Sequence, residues 1–322
     1  MPPLSDRWFG TAKVYKCGVE TNPSARESVD IIYVLGSGRS GSSLLDALLN
    51  GFGDTQGLGE FHRLSLDPGN RVCACGEVLD VCSFWSEVRQ EIPSGSVKSW
   101  TEKVVSNVPL SRRESWQRRF MLLNLFVGRE LLDAGEFAEN YRRAIESSDE
   151  VADAIQEVTG CRCVIDSTKN PLRLIAYRQW SNHRIRCIYL KRDGRAVAQS
   201  HIRRGSGGWV SNILRWHAQQ VKARFALSRT QIDVISVQYE NLCRDPEREL
   251  ARIRSQLDLP KSTPRLAVSK QHLIPGNPML FEGFPTVAED LRWQAEMSLA
   301  KQVSFRIVER LLGPLMWKGK MR

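Results

Sequence analysis

Apolar positions in this chain fall into short continuous runs separated by longer stretches of helical period. Residues 31–35 (IIYVL) form an unbroken β-branched and aromatic run closed by glycine, the mark of a strand buried on both faces. Residues 43–49 then space their apolar side chains as a helix does. The alternation returns along the chain, predicting strands at 55–60, 162–166, 185–190 and 232–237, each followed by a helical stretch. Such a pattern predicts an α/β chain with a central parallel sheet flanked by helices. Residues 61–84, bearing Cys, Gly and Pro, read as a loop. From 85 to 160 no strand-like run occurs. Trp116, Phe120, Leu123 and Leu131 recur there at helical intervals among charges, so this stretch reads as a helical insertion in a core of 30–61 and 161–283. Residues 287–312 read as a C-terminal helix stopped by Gly313 and Pro314. With no repeat or low-complexity linker, one domain over residues 1–322 is the simplest organisation.

Composition narrows the partners. A chain of 322 residues, 42% hydrophobic, can bury one large core. It has no run of about 18 apolar residues, so no stable membrane insertion is expected. The opening MPPLSDRWFG lacks the apolar core of a signal peptide, which predicts a cytoplasmic protein. The net charge of +10 suits a polyanion. Seven Lys/Arg lie between Arg184 and Arg204, and such clustering favours a specific anion site over a general basic coat. Nucleic acid, supported only by net charge, is therefore not an expected partner.

The chemistry starts at residues 31–45, IIYVLGSGRSGSSLL. Gly36, Gly38 and Gly41 let the chain turn tightly, so that backbone N–H groups and a helix N-terminus converge on one anion. The spacing Gly36-x4-Gly41-x-Ser43 fits a P-loop except that Ser42 stands where a nucleotide triphosphatase has its lysine. The loop's one cation is Arg39. This suggests a nucleotide whose transferred group is not a γ-phosphate. A P-loop kinase or NTPase is the alternative, with Asp166 as its Mg²⁺ carboxylate.

The segment Arg39-Ser40-Gly41-Ser42-Ser43 resembles the 5′-phosphosulfate loop of sulfotransferases that use 3′-phosphoadenosine 5′-phosphosulfate (PAPS), whose pattern is K/R-[ST]-G-[ST]-[ST]. Residues 185–200, IRCIYLKRDGRAVAQS, resemble the family's 3′-phosphate element R-[DN]-P-R-x4-S, with Arg192 and Ser200 in place, Arg195 as the second arginine and Gly194 replacing proline. Arginine suits that task because its planar fork donates paired charge-assisted hydrogen bonds to phosphate. Residues 235–245, ISVQYENLCRD, resemble the "YEDL" element before a helix starting near Pro246, which implies an adenine contact by Tyr239. Residues 272–280, HLIPGNPML, are similar to an H-x3-G-N-P-x-R segment of bacterial members, with Leu280 replacing the arginine, so no phosphate contact is carried over there. The resemblance implies a P-loop NTPase-like sulfotransferase fold that binds PAPS through Gly38, Arg39, Ser40, Gly41, Ser42, Ser43, Arg192, Ser200 and Tyr239. It implies release of 3′-phosphoadenosine 5′-phosphate (PAP), no metal requirement, and a carbohydrate or small-molecule acceptor with a hydroxyl or amine.

Sulfuryl transfer needs charge neutralised on the leaving phosphate, a role for Arg39 and the loop amides, and a base for the acceptor proton. Glu60, at the end of the second strand, is the leading base, and His62, with a pKa nearer neutrality, is the alternative. Residues 166–171, DSTKNP, resemble a family turn in which Lys169 reaches the sulfonate or the acceptor; Asp166 or Ser167 alternatively caps the next helix. Of eight cysteines, Cys161, Cys163 and Cys187 read as buried small hydrophobes. Cys73-Ala-Cys75-Gly…Cys82-Ser-Phe-Trp85 resembles a C-x-C-G…C-P-F-W insert of bacterial sulfotransferases. Three thiols could bind zinc, but a structural site wants four ligands, with His62 a candidate fourth; a packed loop without metal is the expectation.

Overall fold

The computed structural model describes residues 28–64, 71–92, 136–259, 271–276, 279–282 and 287–317. Strand β1 (Asp30–Gly36) is buried along nearly its whole length, and its side chains alternate between two core clusters. Ile31, Tyr33 and Leu35 enter one, Ile32 and Val34 the other. This period of two, with both faces apolar, is what a sheet covered on each side by helices requires. Around β1 lies one five-stranded parallel sheet, in the order β2 (Thr55–Gly59), β3 (Cys163–Asp166), β1, β4 (Ile185–Lys191), β5 (Val234–Gln238). All five expected strands are present, and the fold class is the expected one. The register sets Tyr33 beside Asp166 and Gly36 beside Leu190.

The described helices, in chain order, are α1 (Ser42–Leu49), α2 (Ser83–Glu91), α3 (Glu136–Thr159), α4 (Pro171–Trp180), α5 (Gly194–Ile202), α6 (Trp209–Thr230), α7 (Tyr239–Arg244), α8 (Pro246–Gln256), α9 (Met279–Glu282), α10 (Arg292–Glu296) and α11 (Leu299–Trp317). Leu44, Leu45 and Leu48 of α1 and Leu250 and Ile253 of α8 cover the Ile32–Val34 face. Ile145 and Ile155 of α3, Leu174 of α4 and Ala223 of α6 cover the other. No described helix is long and apolar enough to cross a membrane.

Three sequence expectations change. Residues 287–312 are not one helix: the chain has no regular structure over 287–290, turns through α10, breaks at Met297 and only then enters α11. Packing decides this, because Trp293 and Met297 both bury against Ala196 of α5, and the extended backbone at Met297 interrupts the helical path. Helix α11 then continues through Gly313 and Pro314 to Trp317; proline forfeits one backbone hydrogen bond there without ending the helix. The stretch 61–84 holds a 3₁₀ turn (Phe61–Arg63) and an isolated antiparallel bridge between Val72 and Val78. Trp116, Phe120, Leu123 and Leu131 lie outside the described residues, so α2 and α3 are the described part of the helical insertion.

Because the strands are parallel, their carboxyl ends share one edge of the sheet, where open α/β sheets bind ligands. The residues just beyond them are the loop 37–41 after β1, Glu60 after β2, residues 167–170 after β3, Arg192 after β4 and Tyr239 after β5.

Candidate functional site

The loop after β1 folds back through left-handed backbone at Arg39 (φ 68°) and Gly41 (φ 92°). Gly41 caps α1 without a side-chain hydrogen bond, and the first turn of α1 holds no acid. The helix N-terminus is thus left to an outside anion. Gly41 must be glycine for a second reason: a Cβ there would lie 2.3 Å from the Tyr239 ring. Tyr239 starts α7, immediately after β5, and the Arg192 guanidinium lies over its ring at 4.2 Å. Arg192 also donates from Nη1 to the Arg39 carbonyl at 3.0 Å, and Arg39 donates from Nε to Ser200 Oγ on α5 at 3.2 Å. Two motifs far apart in sequence are therefore locked together by direct hydrogen bonds.

They line a cleft of about 410 Å³ that also takes in Gly38, Ser42, Ser43, Glu60 and Lys169. Ser40, the remaining expected loop residue, turns inward; its buried Oγ has no hydrogen-bond partner among the described residues. Among the described residues, six cationic side chains (Arg39, Lys169, Arg192, Arg203, Arg204, Arg292) face two acids, Glu60 and Asp290. Burial, then repulsion by Arg204, Arg192 and Arg203, pulls the Arg39 pKa down to about 10. Arg39 stays charged, and the arginines crowded round it make a positive potential that an anion would relieve. Asp290 ion-pairs with Arg292 at 2.7 Å, Arg203 at 2.8 Å and Arg192 at 3.7 Å. Its hydrogen bond from Arg292 leads the causes that hold its carboxyl below the usual range, against an opposing effect of burial. Arg203 and Arg204 belong to the basic cluster visible in the sequence; the approach of Asp290 and Arg292 carried no signal there.

Glu60 donates its backbone N–H to Ile274 O at 3.0 Å, and its carboxylate pairs with Lys169 Nζ at 3.2 Å and Arg63 at 3.4 Å. Burial alone would raise its pKa, but the charges of Lys169, above all, and Arg63 outweigh it and hold Glu60 below the ordinary carboxylate value. Gly276 passes so close that a Cβ would sit 2.1 Å from the Glu60 carboxyl carbon. Lys169 has left-handed backbone (φ 65°) and donates also to Ser167 O at 2.7 Å. His62 lies beside this group but not on the cleft wall. Its ring is largely buried, and desolvation, the largest effect, drops its pKa to about 4, leaving it neutral. Of the two candidate bases, Glu60 faces the cleft.

Neither Asp166 nor Ser167 caps α4. Asn170 does, its side chain accepting from Leu172 N at 3.0 Å. Asp166 is fully buried, taking Arg173 Nε at 2.7 Å, Tyr177 Oη at 3.0 Å and Thr168 N at 2.9 Å, so it is committed to the core and does not line the cleft as a Mg²⁺ carboxylate would. Arg195, the motif's second arginine, does not line this cleft. It pairs with Asp193 at 2.6 Å, lies 4.7 Å over Trp293, and faces a second cavity of about 690 Å³ that Arg192 also lines. That cavity is larger but does not include the glycine loop, so the cleft with the loop is the candidate site. Gly194 suits this wall, since a Cβ would meet Phe305 and Trp216 at 2.8 Å. Finally, His62 is not the histidine that joins Cys73, Cys75 and Cys82; His272, 190 residues from Cys82, is.

The model of the Sulfotransferase family matches residues 31–263 of this chain. Among solved structures, the sulfotransferase domain from the curacin biosynthetic pathway is similar at 16% identity, over 88% of this chain and 98% of that one, with a TM-score of 0.51. The sulfotransferase domain of the Synechococcus PCC 7002 olefin synthase aligns at 18% identity over 90% and 98%, with a TM-score of 0.46. No curated protein matches. At such identity the curacin-pathway likeness concerns the fold.

Proposed function

The chain belongs to the sulfotransferase family, and on that premise we propose that it moves a sulfuryl group from PAPS to a hydroxyl or amine of a carbohydrate or small-molecule acceptor, releasing PAP. The observation that carries this reading is the convergence of Arg39, Arg192 and Ser200 on one cleft at the uncapped N-terminus of α1. The residues present fit a nucleotide carrying two anionic ends. Arg192 Nε, on the cleft wall, is buried without a partner among the described residues, and the cations around Arg39 outnumber the acids.

In this reading the loop amides and the Ser42 and Ser43 hydroxyls hold the 5′-phosphosulfate. Arg192 and Ser200 hold the 3′-phosphate, and the Tyr239 ring, fixed between Arg192 and Gly41, walls the adenine. The donor supplies the sulfuryl group. Arg39 stabilises charge growing on the leaving phosphate, which is preorganised electrostatic catalysis. Lys169 holds Glu60 ionised at the cleft wall, and Glu60 accepts the acceptor's proton. A kinase reading fares worse, because Ser42 occupies the lysine position and Asp166 is bonded to Arg173. Isothermal titration tests the choice: PAP should bind without added Mg²⁺ and ATP should bind weakly. Equal affinity for the two would sink the proposal, and a product screen with labelled PAPS identifies the acceptor.

A further inference from the structure

Three cysteines and a histidine outside the cleft have no part in that chemistry, yet the fold gathers them at one point. Residues 73–77 form a tight turn: Cys73 N–H donates to Glu77 O at 2.7 Å, Gly76 N–H to Cys73 O at 2.9 Å, and Gly76 takes φ 99°. The turn presents Cys73 and Cys75 toward Cys82, which caps α2. His272 arrives from the far end of the sequence, its position fixed where Ala74 N–H donates to Leu273 O at 2.9 Å. Phe84 stacks on the imidazole at 5.1 Å and 18° and sets its orientation.

Cys82 Sγ lies 3.2 Å from His272 Nδ1, Cys75 Sγ 3.7 Å from Cys82 Sγ, and Cys73 Sγ 3.9 Å from His272 Nδ1. All four ligand atoms fall within 4.8 Å of one another. A tetrahedral zinc with sulfur at about 2.3 Å and nitrogen at about 2.0–2.1 Å holds its ligand atoms roughly 3.6–3.8 Å apart. None of the seven described cysteines forms a disulfide. We propose that Cys73, Cys75, Cys82 and His272 bind one structural zinc ion through three thiolates and the imidazole Nδ1. Four protein ligands leave no open position, which is the mark of a structural rather than a catalytic site.

The ion would staple the turn and the start of α2 to residues 271–276. That segment runs beside β2, with Ile274 N–H donating to Leu58 O at 2.9 Å, and it passes Gly276 against the Glu60 carboxylate. The metal thus anchors the wall behind the proposed base without touching reacting atoms.

The test is the metal content of the tag-free chain, which does not depend on any transferase assay. Mass spectrometry of the elements should find one zinc per chain, released when an organomercurial titrates the thiols. Cobalt(II) in place of zinc should give the intense visible bands and thiolate charge transfer of a tetrahedral sulfur-rich site. The double variant Cys82→Ser/His272→Ala should lose the ion. Should that variant fail to fold, a zinc chelator added to the unaltered chain should lower its Tm, and Zn²⁺, but not Mg²⁺, should restore it. A chain purified from zinc-supplemented cells that carries no zinc overturns the proposal, as does a disulfide among the three cysteines. Full zinc retention by the double variant overturns it equally.

Discussion

Replacing Arg192 with alanine separates two roles that the structure superimposes on one side chain. Arg192 braces the loop through the Arg39 carbonyl, lies over Tyr239 and pairs with Asp290, all without a ligand. The proposed function adds a contact to the 3′-phosphate. A charge-assisted hydrogen bond contributes about 1.5–3 kcal/mol, so loss of that contact alone should lower PAP affinity roughly ten- to a hundredfold in Arg192→Ala. Adenosine 5′-monophosphate shares everything but the 3′-phosphate and serves as the reference. Its affinity should fall only by what the loop brace and the ring stacking contribute, the latter about 0.5–2 kcal/mol. The quantity to read is therefore the ratio of PAP to AMP affinity, measured calorimetrically at one fixed ionic strength because screening alters both. In the unaltered chain PAP should be preferred, and in Arg192→Ala that preference should shrink by the fraction due to the phosphate contact. Ser200→Ala should shrink it less, since a neutral hydroxyl contributes about 1 kcal/mol. If PAP and AMP lose affinity equally, Arg192 is a brace for the loop and Tyr239, and the 3′-phosphate seat lies elsewhere on the cleft.

Glu60→Gln should keep PAP affinity and Tm near those of the unaltered chain while turnover with a hydroxyl acceptor falls by about 10²–10⁴, with His62→Ala falling much less; the reverse ranking moves the base to His62. Because Lys169 and Arg63 hold Glu60 below the ordinary carboxylate value, activity should stay level through neutrality and fall only in acid; an acid limb near about 6.5, the ordinary histidine value, would refute the assignment. Arg39→Ala should lower kcat more than it raises the donor KM, and a raised KM with kcat intact would make Arg39 a ground-state clamp. Asp46, buried in α1 and accepting from Gly59 N at 3.0 Å, has its pKa pushed up to about 7, by burial above all. A folded-state value above the unfolded one makes its contribution complete in acid and lost as pH rises through about 7, so the stability gap between Asp46→Asn and the unaltered chain should widen by about 2–3 kcal/mol from about pH 5 to about pH 8. A gap independent of pH would refute that.

What could be read from the sequence was local. The run at residues 31–35 and the glycines after it lie within one strand and one turn, and Arg192 and Ser200 are eight residues apart on one strand–helix unit, so pattern alone found them. The contest over the cap of α4 was local too, but its outcome was not: Asp166 is withdrawn by Arg173 and Tyr177 inside the core, which leaves Asn170 to cap. His62 stood nearest the cysteines in sequence, yet its ring packs beside Glu60, and the histidine that meets them comes from 190 residues beyond Cys82. Asp290 meets Arg203 across 87 residues, and no periodicity encodes such a pairing. The break between α10 and α11 likewise follows from Trp293 and Met297 burying on α5, a tertiary preference that helical spacing cannot show.

Arg39 and Lys169 share a backbone property with a practical consequence. Both occupy the left-handed region, where a side chain other than glycine costs about 1–2 kcal/mol. Glycine at either position would relieve that cost, less its own entropy in the unfolded chain. A programme that selected this protein for heat resistance alone would thus be drawn to the two positions that carry the loop's arginine and the partner of Glu60, and would delete both. Melting temperature and turnover should move in opposite directions at residues 39 and 169, so screening for one must be accompanied by screening for the other.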